Sequence, residues 1–252
     1  MKRSINKKVI GIAVAAAGVL AAAFLLLWPV YKEKKTNYMM RQTAIISDQT
    51  TMTADLSDEI GNGATEDDQG DFGNANVDFE ALQQINPDIV AWIEVDGTSI
   101  SYPILQSSPD EPEDYYLTHD AEKNESKHGA IYMQKRNDPK FKDFMTVLYG
   151  HNMRDGSMFR QLHNFKDNTF LQTHGRIVIH LPNGRKKYYK IISAEITTAE
   201  NILITYDNFE DEDIAEAYWK NNIGTFDIGH CIVLSTCCGD PTKRLIVAAI
   251  EK

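Results

Sequence analysis

CIVLSTCCGDPTKRLIVAAI, residues 231–250, holds two apolar runs around a loop-forming centre. Cys231 to Cys237 and Leu245 to Ile250 are too short for buried helices and carry Ile, Val and Thr. Each therefore predicts a strand. Gly239, Asp240 and Pro241 between them are turn formers, so the strands are expected to pair as antiparallel neighbours. The loop is then the six residues Cys238 to Lys243, with Cys237 facing Arg244 across its mouth. A thiol at a strand end beside a guanidinium has what a nucleophile needs. The positive charge favours the thiolate. The planar donor fork of Arg can stabilise an oxyanion that develops at an attacked carbonyl.

Working outward, six more short runs read as strands. Ile89 to Val95 meets Asp96-Gly97, a hairpin turn signal, and Ser99 to Leu105 returns. Ala130 to Met133 and Thr146 to Tyr149 follow. Arg176 to Leu181, Pro182-Asn183-Gly184 and Lys186 to Ala194 make a further hairpin. Eight strands with turn signals between them predict a mainly β fold, closed or nearly closed. Helical signals are few: Phe79 to Ile85, Ser157 to Phe165, and Phe209 to Asn221. The last has acidic residues in its first turn and Lys220 near its end, as the helix dipole prefers.

The N-terminal part is different in kind. Val9 to Tyr31 is uncharged and rich in Ala, Leu and Val. At about 1.5 Å per residue it reaches about 34 Å, enough to cross a hydrocarbon core. A cleaved signal peptide would have a shorter apolar region, ending in small residues. This run ends in Leu-Leu-Leu-Trp-Pro, which favours an uncleaved anchor. Lysines and arginines flank it almost evenly, and Glu33 tilts the balance towards an N-terminus inside and the remaining chain outside the cell. The division expected is 1–8 cytoplasmic, 9–31 transmembrane, 32–76 stalk and linker, and 77–252 compact domain. The start of the stalk, 32 to about 60, could form a helix leaving the membrane. Gly61 to Asn76 is polar, acidic and glycine-rich, as a flexible linker is.

The net charge is −10, but Gln42 to Glu122 holds 19 acidic residues and no Lys or Arg. From Lys123 onward 18 basic residues meet 16 acidic ones. No basic face for phosphates is visible, so nucleic acid is not expected as a partner. Three cysteines, Cys231, Cys237 and Cys238, make no disulfide framework, and an odd thiol in an exported domain is a reactive candidate. Metal-binding spacings are absent, and neither metal nor cofactor is expected.

A cysteine nucleophile needs a proton acceptor and donor. Among seven histidines, His151 stands where a strand gives way to a glycine-assisted turn, in Tyr149-Gly150-His151-Asn152. The others have no such setting; His180 lies inside a strand and His163 in a helix-like segment. Each residue also has an ordinary reading taken singly. A Cys in an apolar strand is usually a small core hydrophobe, which is what Cys231 is expected to be. A lone His or Arg is usually a satisfied polar contact.

Taken together, in their local words, these residues resemble a family. YGHNMRDGSMF (149–159) and LSTC with TKRLIV (234–237, 242–247) are similar to the two signatures of sortases, specifically class B. FEALQQINPDIVAWIEVDGTSISYPILQ (79–106) resembles the opening of the same domain. Sortases are membrane-anchored cysteine transpeptidases of Gram-positive bacteria. The resemblance implies an eight-stranded sortase-type β-barrel with short helices, preceded by an N-terminal transmembrane helix. It implies Cys237 as nucleophile, His151 as general acid/base and Arg244 as oxyanion or substrate stabiliser. It implies substrate-lining groups near Leu117, Tyr149, Ser235 and Thr236. It also separates the two neighbouring thiols, because only Cys237 follows Ser235-Thr236. The residue reading agrees, since a strand ending at 237 sends Cys238 to the other side. The Phe209–Asn221 helix matches an extra helix of class B members. The Cys-to-Arg loop is shorter than is usual in that class, which leaves any role for Asp240 open.

The activity implied is acyl transfer without nucleotide or metal. The partners implied are secreted proteins with a C-terminal sorting motif, a peptidoglycan precursor or crossbridge amine, and the membrane through the N-terminal anchor. The catalytic domain would lie outside the cell. Three other readings share these residues: a pilin-polymerising sortase, a cysteine endopeptidase whose thioester is resolved by water, and an inactive surface-binding module.

Overall fold

The Asp96-Gly97 pair turns the chain where the sequence predicts. Ile89–Val95 forms β1 and Ser101–Leu105 forms β2, antiparallel, with Ile93 opposite Tyr102. Gly97 takes φ +68°, a left-handed conformation that costs glycine little. Thr98 Oγ1 donates to the Val95 carbonyl and accepts from the Ile100 amide, which locks the turn. The other strands are β3 (Ile131–Met133), β4 (Met145–Tyr149), β5 (Arg176–His180), β6 (Lys186–Thr198), β7 (Cys231–Cys237) and β8 (Lys243–Glu251).

This computed structural model describes residues 31, 40–41, 72–73, 75–198 and 229–252. The chain divides into two compact units, Met1–Met39 and Met40–Lys252, and the strands belong to the second. All of the span expected at Val9–Tyr31 but Tyr31, all of the helix expected beyond it but Met40 and Arg41, most of the linker and the Phe209–Asn221 helix lie outside the described residues. Among the described residues, no helix is long and apolar enough to cross a membrane.

The eight strands close into a barrel in the order β1-β2-β3-β4-β7-β8-β6-β5, with β5 pairing back on β1. Two of its neighbours, β2/β3 and β4/β7, run parallel. Alternation along each strand fills the interior: Ala91, Ile93 and Val95, Ile177 and Ile179, Ile232 and Leu234, and Leu245, Val247 and Ala249 share one buried cluster. The opposite parity makes separate outer clusters, and Ile89 falls in one of them because the register shifts between Ile89 and Ala91. One holds Met145, Val147, Cys231, Val233, Ile246 and Ala248. Another packs Phe79 and Leu82 of a short helix, α1 (Phe79–Ile85), against Ile89 and Trp92.

The boundaries differ from the sequence reading in two places that matter for the site. β8 starts at Lys243 and β6 runs on to Thr198, because Lys243 and Thr198 pair across them. The Cys-to-Arg loop is thus five residues, 238–242, rather than six. The helix expected at Ser157–Phe165 is a 3-10 segment, Arg160–Lys166, followed by the short helix α2 (Asn168–His174). Asp167 starts α2 by accepting from the Thr169 and Phe170 amides.

Candidate active site

The ladder register assembles the site. β4 and β7 are parallel with Tyr149 level with Ser235, and the Gly150 amide donates to the Ser235 carbonyl at 3.2 Å. Two residues further along each chain stand His151 and Cys237. β7 and β8 are antiparallel, and Cys237 pairs with Arg244. Neighbouring strands lie about 4.8 Å apart. His151, Cys237 and Arg244 therefore come together at one end of the barrel from three adjacent segments. Parity sets the face: Cys237 follows Cys231 and Val233, and Arg244 precedes Ile246 and Ala248, all of the outer cluster.

The three thiols are in three environments. Cys237 is exposed. Cys238 is half-buried and packs against the interior cluster, on the other side from Cys237 as expected. Cys231 is fully enclosed, and burial pushes its thiol far above the usual range. It is the core hydrophobe the sequence predicts.

His151 is held by its backbone and by its ring. A Cβ on Gly150 would lie 2.4 Å from Ile131 Cδ1 and 2.7 Å from Phe159 Cδ2, so only glycine fits before it. The Phe159 amide donates to the His151 carbonyl at 2.9 Å. Nε2 lies 2.8 Å from the Leu117 carbonyl. A carbonyl only accepts, so Nε2 carries a proton and Nδ1 is the nitrogen left to exchange one.

Arg244 is braced on the loop. Its Nη1 donates to the carbonyls of Pro241 (2.9 Å) and Lys243 (2.8 Å). Asp240 holds the loop from within, accepting from the Thr242 hydroxyl at 2.7 Å and amide at 2.9 Å. Those two bonds keep its carboxyl below the ordinary carboxylate value. Asp240 therefore serves the turn.

The four residues expected to line a substrate differ in exposure. Leu117 is exposed, and its carbonyl is the group that holds His151. Tyr149 is half-buried, its ring stacked on Tyr132 with centroids 5.3 Å apart and its hydroxyl accepting from Gln134 Nε2 at 2.8 Å. Ser235 and Thr236 are buried in the ladder beneath the rim. Among the described residues, no group of three or more His, Cys, Asp and Glu is placed to hold a metal.

Two neighbours of Cys237 were missed by sequence reasoning. Asn152 Nδ2 donates to the Cys237 carbonyl at 2.7 Å, and His163 Nε2 lies 3.2 Å from the same oxygen. Burial lowers the His163 pKa below its ordinary value, and the Cys237 carbonyl partly offsets that. In the sequence His163 falls in a helix-like segment. The 3-10 turn that carries it packs against β6 and β8, and its ring alone reaches the end of β7, a long-range approach without a local sequence signal.

The family model described as the sortase domain matches residues 93–252, well over half the chain. The chain belongs to the sortase family. It is similar to sortase B of Staphylococcus aureus, 33% identical over 183 residues, covering 68% of this chain and 73% of that one. Among solved structures, sortase B of Clostridium perfringens superposes with a TM-score of 0.62 at 28% identity, covering 69% of this chain and 100% of that one. A Staphylococcus aureus sortase B–substrate complex matches with a TM-score of 0.60 at 30% identity, covering 69% and 84%. The relatives and neighbours are class B sortases, as the two sequence signatures predict. This sortase is a cysteine transpeptidase, and its eight-stranded barrel is the fold of that group.

Proposed function

We propose that this sortase uses Cys237 as nucleophile, His151 as general acid/base and Arg244 as oxyanion stabiliser, on a C-terminal sorting motif of secreted proteins. The observation that carries the assignment is the register: the β4/β7 and β7/β8 ladders bring these three residues, and only one exposed cysteine, to one rim.

The Cys237 thiolate attacks the carbonyl carbon of the motif's Thr–X bond. The C–S bond forms and the carbonyl oxygen becomes an oxyanion, which the guanidinium of Arg244 stabilises. Both Nη1 hydrogens are engaged on the loop, so the Nε and Nη2 edge would face the substrate. His151 Nδ1, which has taken the Cys237 thiol proton, gives it to the departing amine, the C–N bond breaks, and a thioester remains on Cys237. An amine of a peptidoglycan precursor or crossbridge then attacks the thioester, His151 takes its proton, and the thiolate leaves. The bond made is an amide like the bond broken, so the exchange needs no nucleotide. The uncharged run Val9–Tyr31 supports a membrane anchor with the barrel outside the cell.

The test incubates the full-length chain with Asn-Pro-x-Thr, Ser-Pro-x-Thr and Leu-Pro-x-Thr peptides, with and without an amine acceptor, and follows products by mass spectrometry. The expected result is cleavage after Thr, a thioester on Cys237 and an acceptor-joined product. A thioester that yields only free acid with every acceptor would make the chain a hydrolase. No acyl-enzyme with any peptide would sink the assignment.

A further inference from the structure

Backbone acceptors two residues apart on a strand face the same neighbour. Since the Ser235 carbonyl takes the Gly150 amide, the Cys237 carbonyl also faces β4, and its ladder partner would be the amide of residue 152. β4 has already turned away there. Asn152 instead forms an antiparallel bridge with Met158, and Phe159 donates to the carbonyl of His151. The missing donor is supplied by the Asn152 side chain, whose Nδ2 lies 2.7 Å from the Cys237 carbonyl oxygen. Arg160 Nη1 donates to Asn152 Oδ1 at 3.0 Å, which fixes which end of the amide faces Cys237. His163 Nε2 lies 3.2 Å from both the Cys237 oxygen and Asn152 Nδ2. A carbonyl only accepts, so a proton on His163 Nε2 makes the ring a second donor to the Cys237 oxygen beside the Asn152 amide.

We propose that Asn152 is a positioning residue for the transpeptidation reaction: it closes the ladder that β4 leaves open and so fixes the peptide group carrying the nucleophile. The proposal rests on Cys237 being that nucleophile. Cys237 is the last residue of β7 and exposed, so nothing in the strand beyond it restrains its carbonyl. Asn152 is also the residue after His151. One short segment thus carries the acid/base group and grips the strand end that carries the thiol, which sets the spacing between them. Attack geometry is sensitive on this scale: a shift of about 1 Å can cost about 100-fold in rate.

The experiment compares full-length parent, Asn152→Ala, Asn152→Asp, Arg160→Ala and Cys237→Ala in acyl-enzyme formation from a sorting-motif peptide, with thermal unfolding of each. Asn152→Ala is expected to lower kcat about 10- to 100-fold, with KM within about twofold. Asn152→Asp keeps the shape but replaces the donor by an acceptor, so it should be at least as slow. A purely structural role would instead let Asp restore the parent rate, or move activity only in step with the melting temperature; either result overturns the proposal. So does a kcat for Asn152→Ala within about twofold of the parent. Should both Asn152 variants fail to fold, exposed Arg160 decides: its loss should slow kcat about 3- to 10-fold, and an unchanged kcat overturns the proposal. Cleavage that persists in Cys237→Ala refutes the nucleophile assignment instead, a separate outcome.

Discussion

The β7–β8 hairpin and the excursion after β4 deliver groups to the same rim by opposite means. In the hairpin, Cys237 and Arg244 are seven residues apart and meet because two strands pair in register. In the excursion, Asn152 and His163 reach the Cys237 carbonyl from 85 and 74 residues away in sequence. The hairpin is positioned by a repeating ladder, and the excursion by individual side-chain contacts. Rim groups set by register should tolerate neighbouring substitutions, whereas groups set by single contacts should not.

Cys237→Ala should lose more than about 10,000-fold in acyl-enzyme formation, whereas Cys238→Ala, one residue on but facing the interior, should keep most of the rate. The reverse pattern in a peptide assay would move the nucleophile. Next is Arg244→Lys, expected to slow turnover about 100-fold with KM little changed, because an ammonium cannot copy a planar fork. Steady-state kinetics that separate kcat from KM would show it. A near-normal rate would remove Arg244 from the oxyanion role.

On the excursion side, Gly150→Ala should destabilise the fold by about 1–3 kcal/mol through contact with Ile131 and Phe159, and slow catalysis by displacing His151. Thermal unfolding and turnover on one preparation would test both. His163 also ties the rim to pH. The folded His163 pKa lies below its ordinary value of 6.5, so the unfolded chain binds more protons in the window between them. Stability therefore rises with pH across that window and falls on acidification through it. His163→Gln should remove that share of the loss, so its melting temperature should drop less than the parent's between pH 7.5 and 5. Equal drops would show that His163 carries no such linkage.

The fold was largely legible because strands announce themselves locally. Ile89–Val95 and Cys231–Cys237 appear with the bounds read from their apolar runs, and the turns fall at Gly97 and Gly239, both with positive φ. The parallel pairing of β4 with β7 was not legible, since nothing in Met145–Tyr149 names a partner more than eighty residues away. The meeting of Cys237, His151 and Arg244 at one rim was legible because each side chain stands at a strand end. The site was not legible where a backbone group acts. Leu117 reads as an apolar wall, yet its carbonyl holds His151, and every residue carries a carbonyl. The Asn152 amide is equally silent until the departure of β4 from the ladder gives it an acceptor to serve.

β3 has one more consequence. It is three residues long and matches each neighbour at only two positions, Ile104 and Leu105 on β2 and Tyr149 and Leu148 on β4. Every other seam of the barrel is longer. Local opening is cheapest where few ladder bonds must break. In amide hydrogen exchange, the β3 amides should therefore be the first of the barrel strands to trade protium for deuterium. The seam that breathes most is also the one whose aromatic cover, Tyr132 against Tyr149, stands beside the rim, so a bound peptide that slows this exchange would report its own docking.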